Sequence, residues 1–446
     1  MRKIFAVVLA CFAAIAAFGS GGIRGVWKGT LMGRIPVVFN VVNDSTATMS
    51  SPAQGVSEIP CDYARVNAAG DSLEVYIKRL QLSFRGAYKP AKDEIGGVFM
   101  QGVMMPLTLV RGKESDMYPE RPQTPVGPFD YREEEVSFRN GDVTLCGTLT
   151  MPSQPVSGGF PAVVLASGSG AQNRDEELFG HKPFAVLADK LTRSGVAVLR
   201  FDDRGAGESD ALRGDETTMD FAGDVMAGLR YLRERPEVDD ARVGILGHSE
   251  GGTEALINAG LYPREVNFVV SLAGMAVKGE ELMVKQNEDI CEVSGTPLKD
   301  GEVDILRRMF RVIAESSDSL ELANTLRPLV AELHPAYTPE QVEADLRVPT
   351  MPWYVAFVKL DPGPYLSRIE CPVLALNGTW DAQVNCEMNL GAIEAAVPTA
   401  EVVRMENLNH MFQRPSSSSE SMKYGTITQT ISPEVLDLIA RWIVER

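Results

Sequence analysis

Six residues, Gly247-His248-Ser249-Glu250-Gly251-Gly252, follow directly on the apolar run Val243 to Leu246 and open a helical pattern. A strand that runs into Gly-x-Ser-x-Gly and then into a helix must turn so sharply that the serine takes strained φ/ψ angles. Only small neighbours fit beside such a turn, which accounts for Gly247 and Gly251. The turn lifts the Ser249 hydroxyl over the sheet edge at the start of the next helix. It also leaves the Glu250 backbone N–H free to face a developing oxyanion. The competing reading is a glycine-rich strand-to-helix turn around a buried serine.

The surrounding pattern is that of an α/β chain. Val136-Ser137-Phe138 and Thr144 to Leu149 read as an antiparallel pair around the Asn140-Gly141 turn. Strands are then predicted at 161–166, 197–201, 243–246, 268–272, 372–376 and 400–405. Helices are predicted at 184–194, 219–233, 253–259, 386–396 and 433–444. Alternation of this kind implies a parallel sheet covered on both faces. It breaks between about 277 and 368, where helical periods such as Val303 to Glu315 and Ser319 to Glu332 run without a strand; this reads as a helical lid insert. The catalytic domain so defined covers 129–446.

Upstream, residues 20–112 read as a small all-β domain. Val37 to Val42, Ser72 to Ile77 and Leu107 to Val110 are β-rich, with turns expected at Asn43-Asp44, Ala69-Gly70-Asp71 and Gly96-Gly97. Pro119, Pro122, Pro125 and Pro128 mark residues 113–128 as a stiff linker. Residues 1–19 read as a secretory signal peptide, with Arg2 and Lys3 ahead of the apolar stretch Ile4 to Phe18 and small residues at Ala17 and Gly19. The expected location is therefore periplasmic or secreted. Val8-Leu9-Ala10-Cys11 only loosely resembles a lipobox and sits too early. Cleavage removes one of the six cysteines and leaves an odd, widely spread set without metal spacing. Small buried apolar residues are the better reading for most of them. With 60 acidic against 43 basic residues, the chain has no basic surplus to neutralise phosphates, which argues against a nucleic-acid partner.

A serine hydroxyl is a weak nucleophile near neutral pH and needs a base, held in the right tautomer by a third group. The chain has four histidines, His181, His248, His334 and His410. His248 adjoins the serine and leaves the turn in another direction, His334 lies in the helical insert, and His181 lies upstream. The order Ser, acid, His that accompanies this elbow selects His410, after the last strand. Asp381, in Asn377-Gly378-Thr379-Trp380-Asp381, is the matching acid; its alternative role is to cap the following helix, and Glu387 is a weaker candidate. A second oxyanion donor is expected in Ser167-Gly168-Ser169-Gly170-Ala171-Gln172, at Ser169 or its neighbour Gly170. Arg204, in the loop Asp202 to Ser209, reads as a loop-pinning residue more than a substrate contact. Trp353, Tyr354 and Phe357 line an acyl pocket or else form the insert's core. No metal or cofactor is implied.

Together, SGSGAQNRDE, FDDRGAGES, GHSEGG, LNGTWDAQV and LNHMFQ, with Pro352-Trp353 and Leu360-Asp361-Pro362, resemble the alpha/beta-hydrolase superfamily over residues 129–446. The nearest likeness is to bacterial secreted esterases grouped with serine aminopeptidase-like hydrolases. Gly25 to Leu31 and Met49 to Gly55 resemble the β domain that precedes many such enzymes in Bacteroidetes-like bacteria. One departure is Ala171, where many members carry proline. The resemblance implies a serine carboxylesterase acting on a small-molecule acyl or aryl ester. The alternative is a prolyl-type exopeptidase on the same triad, which needs a site for a free amine. A third reading is a cell-envelope binding protein on a hydrolase scaffold, against which the intact triad speaks.

Overall fold

The computed structural model describes residues 22–33, 35–52, 56–317 and 319–446. The signal peptide expected over 1–19, with Cys11, lies outside the described residues. Among the described residues no helix is long and apolar enough to cross a membrane.

The N-terminal part is one curled antiparallel sheet. Its strands are β1 (Gly25–Leu31), β2 (Ile35–Asn43), β3 (Thr46–Ser51), β4 (Val56–Pro60), β5 (Tyr63–Val66), β6 (Ser72–Ile77), β7 (Leu82–Lys89), β8 (Glu94–Gln101) and β9 (Val103–Arg111). They lie in the order β4-β3-β2-β1-β9-β8-β7-β6-β5. Side chains alternate across each strand. In β6, Leu73, Val75 and Ile77 point inward to a core that holds Trp27, Phe39, Phe84 and Phe99. Gly96 and Gly97 are not a turn, as their composition led us to expect, but lie inside β8. A Cβ on Gly97 would stand 2.2 Å from the Arg85 carbonyl oxygen, so the close approach of β7 requires glycine there. The turn falls at residues 90–93 instead.

The proline-dense stretch runs against the second sheet's loops. Tyr118 and Met117 pack with Val26 and Val38 of the first sheet and with Phe179 of the second part. The Arg121 guanidinium donates to the carbonyls of Ile427 (2.6 Å), Phe179 (2.7 Å) and Gly425 (2.8 Å). Gln123 accepts from the Thr430 N–H at 2.6 Å and donates to the Ile431 carbonyl at 2.7 Å.

The second part follows the alternation read from the sequence. Its elements are β10 (Arg132–Asn140), β11 (Val143–Met151), β12 (Phe160–Ala166), α1 (Pro183–Arg193), β13 (Ala197–Phe201), α2 (Thr218–Arg233), β14 (Val238–His248), α3 (Glu250–Leu261) and β15 (Phe268–Leu272). The insert carries α4 (Gly279–Val293), α5 (Asp300–Glu315), α6 (Ser319–Leu333), α7 (Pro339–Asp345), α8 (Pro352–Lys359) and α9 (Gly363–Leu366). Then come β16 (Val373–Gly378), α10 (Cys386–Ala396), β17 (Glu401–Met405) and α11 (Pro433–Val444). The sheet order is β10-β11-β13-β12-β14-β15-β16-β17, parallel from β13 onward. One apolar cluster packs α2, α3 and α10 on one face, and a second packs α1 and α11 on the other. That is why β12 and β16 are buried at every position. The insert has a core of its own, built on Leu306, Met309, Phe310 and Leu326. The five cysteines of the described residues are free thiols.

Arg121 is a buried cation whose hydrogen bonds go to loops of the second part. Arg121→Ala is expected to lower stability by about 2 kcal/mol, since hydrogen bonds to charged groups are worth about 1.5–3 kcal/mol and some solvation is recovered. Urea unfolding of the two proteins checks this.

Candidate active site

Parallel strands deliver their C-terminal ends to one edge of the sheet. At that edge β14 ends on His248 and α3 starts at Glu250, with Ser249 between them at φ 55°, ψ −120°. The turn is as tight as the motif implies. A Cβ on Gly247 would lie 2.0 Å from the Gly251 carbonyl oxygen, and one on Gly251 would lie 2.1 Å from that of Ala166. The Ser249 N–H is anchored on the Leu272 carbonyl at 2.8 Å.

The structure brings together the three residues selected for the triad. Ser249 Oγ lies 3.0 Å from His410 Nε2, and His410 Nδ1 lies 2.7 Å from Asp381 Oδ2. Asp381 does not cap α10; Asn385 does, accepting the Met388 N–H. The other oxygen of Asp381 accepts the N–H groups of Gln383 (2.7 Å) and Val384 (2.9 Å), which fixes the carboxylate's orientation. Glu387 points elsewhere, to Arg404. His181 is fully buried between Thr430, the Tyr424 carbonyl and Gln413, and burial pushes its pKa down to about 4. His334 stacks on Tyr337 in the insert at 4.4 Å.

Glu250, as the first residue of α3, has a backbone N–H without an acceptor inside the helix. Ser169 lines the same cleft as Ser249, whereas Gly170 lines a smaller cavity behind it. The Gly168 N–H is already taken by Glu176 Oε1 at 2.7 Å. Asp203 holds this loop from below, accepting the Ser167 hydroxyl at 2.6 Å and the Gln172 N–H at 2.9 Å. Arg204 turns away from the cleft and pairs with Asp224 at 2.5 and 2.7 Å.

The cleft in front of Ser249 has a volume of about 60 Å³. Its wall is largely apolar, with Met275, Leu282, Met283, Ile290 and Val384. Trp353, Tyr354 and Phe357 all line it; Tyr354 and Phe357 also belong to the insert's core, and Trp353 packs against it. Among the described residues no lysine or arginine lines the cleft. Among the described residues the only acid on its wall is Glu250, whose Oε1 accepts the Thr218 hydroxyl at 2.6 Å and the Trp353 indole N–H at 2.9 Å. Among the described residues no group of His, Cys, Asp and Glu is placed to hold a metal ion.

Sequence reasoning missed the buried acids under the elbow. Burial raises the Glu250 carboxyl's pKa, and burial beside Glu250, Asp203 and Asp224 raises that of Glu254 well above its ordinary value. Burial pushes Asp203 up to about 8 against the hydrogen bonds it receives. It also missed Glu176, which sits at φ 50° and meets His248 Nδ1 at 2.9 Å. The adjacency of His248 to Ser249 was the one available signal.

A strand-elbow-helix serine in the middle of a largely parallel sheet, followed by an acid after a later strand and a histidine after the last, defines an alpha/beta-hydrolase. The family described as serine aminopeptidase, S33, matches residues 182–312 of this chain, which an all-β domain precedes. Among curated proteins, Esterase EstD of Thermotoga maritima is 28% identical over 330 residues, which is 71% of this chain and 70% of the esterase. Thiohydrolase apmlB of Arthrinium phaeospermum is 32% identical over 113 residues, 25% of this chain and 34% of its own length. Among solved structures, a hypothetical protein from Pseudomonas aeruginosa matches with TM-score 0.49 at 17% identity, covering 72% of this chain and 96% of that one.

The raised pKa of Asp203 has a checkable sign. Its folded value of about 8 lies above the ordinary 3.8, so the folded state keeps a proton that the unfolded chain releases. This group's contribution is therefore full below about pH 4 and is lost as pH climbs toward 8. Asp203→Asn is expected to flatten that fall, so that the variant gains on the wild type between pH 5 and pH 8 in urea midpoints, the two pH values bracketing the window.

Proposed function

We propose that the protein is a serine carboxylesterase that cleaves uncharged, short-chain acyl esters through an acyl-enzyme. The observation that carries this reading is the continuous hydrogen-bonded chain Ser249–His410–Asp381, whose serine lines an apolar cleft with no cation on its wall among the described residues. Ser249 Oγ attacks the ester carbonyl carbon while His410 Nε2 takes its proton. The Asp381 carboxylate holds the Nδ1–H tautomer and stabilises the imidazolium. The Glu250 and Ser169 N–H groups receive the oxyanion. His410 returns the proton to the leaving alcohol, and a water activated by the same imidazole then releases the acid.

Likeness to an esterase over most of the chain supports ester bonds as the substrate class. The cleft supports small acyl groups. Its volume of about 60 Å³, walled by Met275, Leu282, Met283, Ile290 and Val384, suits a short apolar chain. An aminopeptidase needs a free carboxylate for the substrate's ammonium. Among the described residues the one acid on the wall, Glu250, is buried, and burial raises its pKa, which disfavours the charged form an ammonium would pair with and so favours the ester reading. The signal-type segment Arg2 to Gly19 supports export to the periplasm or beyond.

Hydrolysis of nitrophenyl esters of graded chain length tests the proposal. Acetate to butyrate are expected to turn over best, and Ser249→Ala to lose about 10⁴-fold or more in kcat. Cleavage of aminoacyl amides without cleavage of matched esters would establish the peptidase instead.

A further inference from the structure

The His248 ring is buried between two acceptors. Its Nε2 lies 2.9 Å from the backbone carbonyl oxygen of His410, and its Nδ1 lies 2.9 Å from Glu176 Oε1. That same Oε1 already accepts the Gly168 N–H at 2.7 Å. A neutral imidazole carries one N–H and would turn a lone pair on one of these oxygens; only the doubly protonated ring donates to both. The ring is thus a clamp on three segments. It continues the elbow at Ser249, it holds the loop that carries His410, and through Glu176 it holds the loop that presents Ser169.

We propose that His248 stands protonated at working pH as a positioning residue, and that the His248–Glu176 pair sets the spacing between the base and the oxyanion loop. The inference rests on the serine-hydrolase reading of Ser249 and His410. The charged groups facing the ring are Glu176, from the loop after β12, and Asp381, from the loop after β16. Its other neighbours are the His410 ring, with centroids 4.9 Å apart, and the Phe412 ring at 6.4 Å. Burial opposes the charge on His248. The Glu176 carboxylate, its hydrogen bond and the His410 carbonyl outweigh burial and hold the pKa above the ordinary imidazole value. Glu176 is itself buried, with its second oxygen lacking a hydrogen-bond partner, so its charge is met chiefly by this ring.

Two measurements test this. With four histidines in the chain, the ring nitrogens are resolvable by ¹⁵N NMR of the full-length folded protein. His248 is expected to show two ring N–H protons at pH 7.5, a value about one unit above the unperturbed imidazole pKa. A single N–H there overturns the proposal, whether or not any ester is hydrolysed. In kinetics on nitrophenyl acetate, H248Q is expected to lower kcat by about 10- to 100-fold with KM changed by less than about threefold, as expected when reacting groups are misplaced by about an ångström. Glu176→Gln removes the counter-charge and is expected to move the alkaline fall of kcat to lower pH. Wild-type kcat in H248Q, or an unmoved pH profile in E176Q, overturns it. Should H248Q fail to fold, E176Q and the NMR spectrum decide. Absence of esterase activity in a wild type with a doubly protonated His248 would instead count against the proposed reaction.

Discussion

The backbone at Ser249 is held in a left-handed conformation at the point where three chain segments cross almost in contact. Gly247 meets the Gly251 carbonyl, Gly251 meets the end of β12, and the Ser249 N–H binds the end of β15. A side chain at either glycine would drive into backbone, which cannot move without separating strands of the sheet. The strain at the serine is therefore borne by the whole packed sheet and not by the loop. Because β12, β14, β16 and β17 run parallel, the loops leaving them converge on that one point. Ser249, Asp381, His410 and the glycine-rich loop thus meet, although they are far apart in the chain.

Beneath this crossing the protein concentrates acids. Asp203, Glu250 and Glu254 are all nearly inaccessible, and the neighbouring guanidinium of Arg204 is committed to Asp224. Burial raises the pKa of all three carboxyls. Glu250 accepts from both Thr218 and Trp353 on one oxygen. Asp203 uses its acceptor capacity on Ser167 and Gln172, so the loop's shape is coupled to a group that titrates near neutrality. A charged pair, His248 with Glu176, sits on the other side of the same loop.

Much of this was legible in the sequence because it is written in local spacing. The elbow, the alternation of strands and helices, the helical insert and the positions of Asp381 and His410 all follow from periodicity or from order along the chain. Gly96-Gly97 was misread because composition cannot distinguish a glycine that turns the chain from one that lets a neighbouring strand approach. The anchoring of Arg121 was invisible for another reason: two of its three partners lie some 300 residues away, and all three are carbonyl oxygens, which carry no sequence signal. Glu176 and Asp203 were hidden in the same way. Each sits in a run of charged residues that reads as a solvated loop until tertiary packing buries it.

Trp353 belongs to α8 of the insert, yet its indole N–H ends on the residue that follows the nucleophile. The insert is thereby bonded to the elbow itself as well as to its own apolar core. Any movement that widens the cleft by lifting α8 has to strip a donor from a carboxyl whose other oxygen already lacks one. Opening therefore carries an electrostatic cost in addition to the apolar surface it exposes. The hydrogen bond thus ties the width of the cleft to the energy of a single buried proton acceptor.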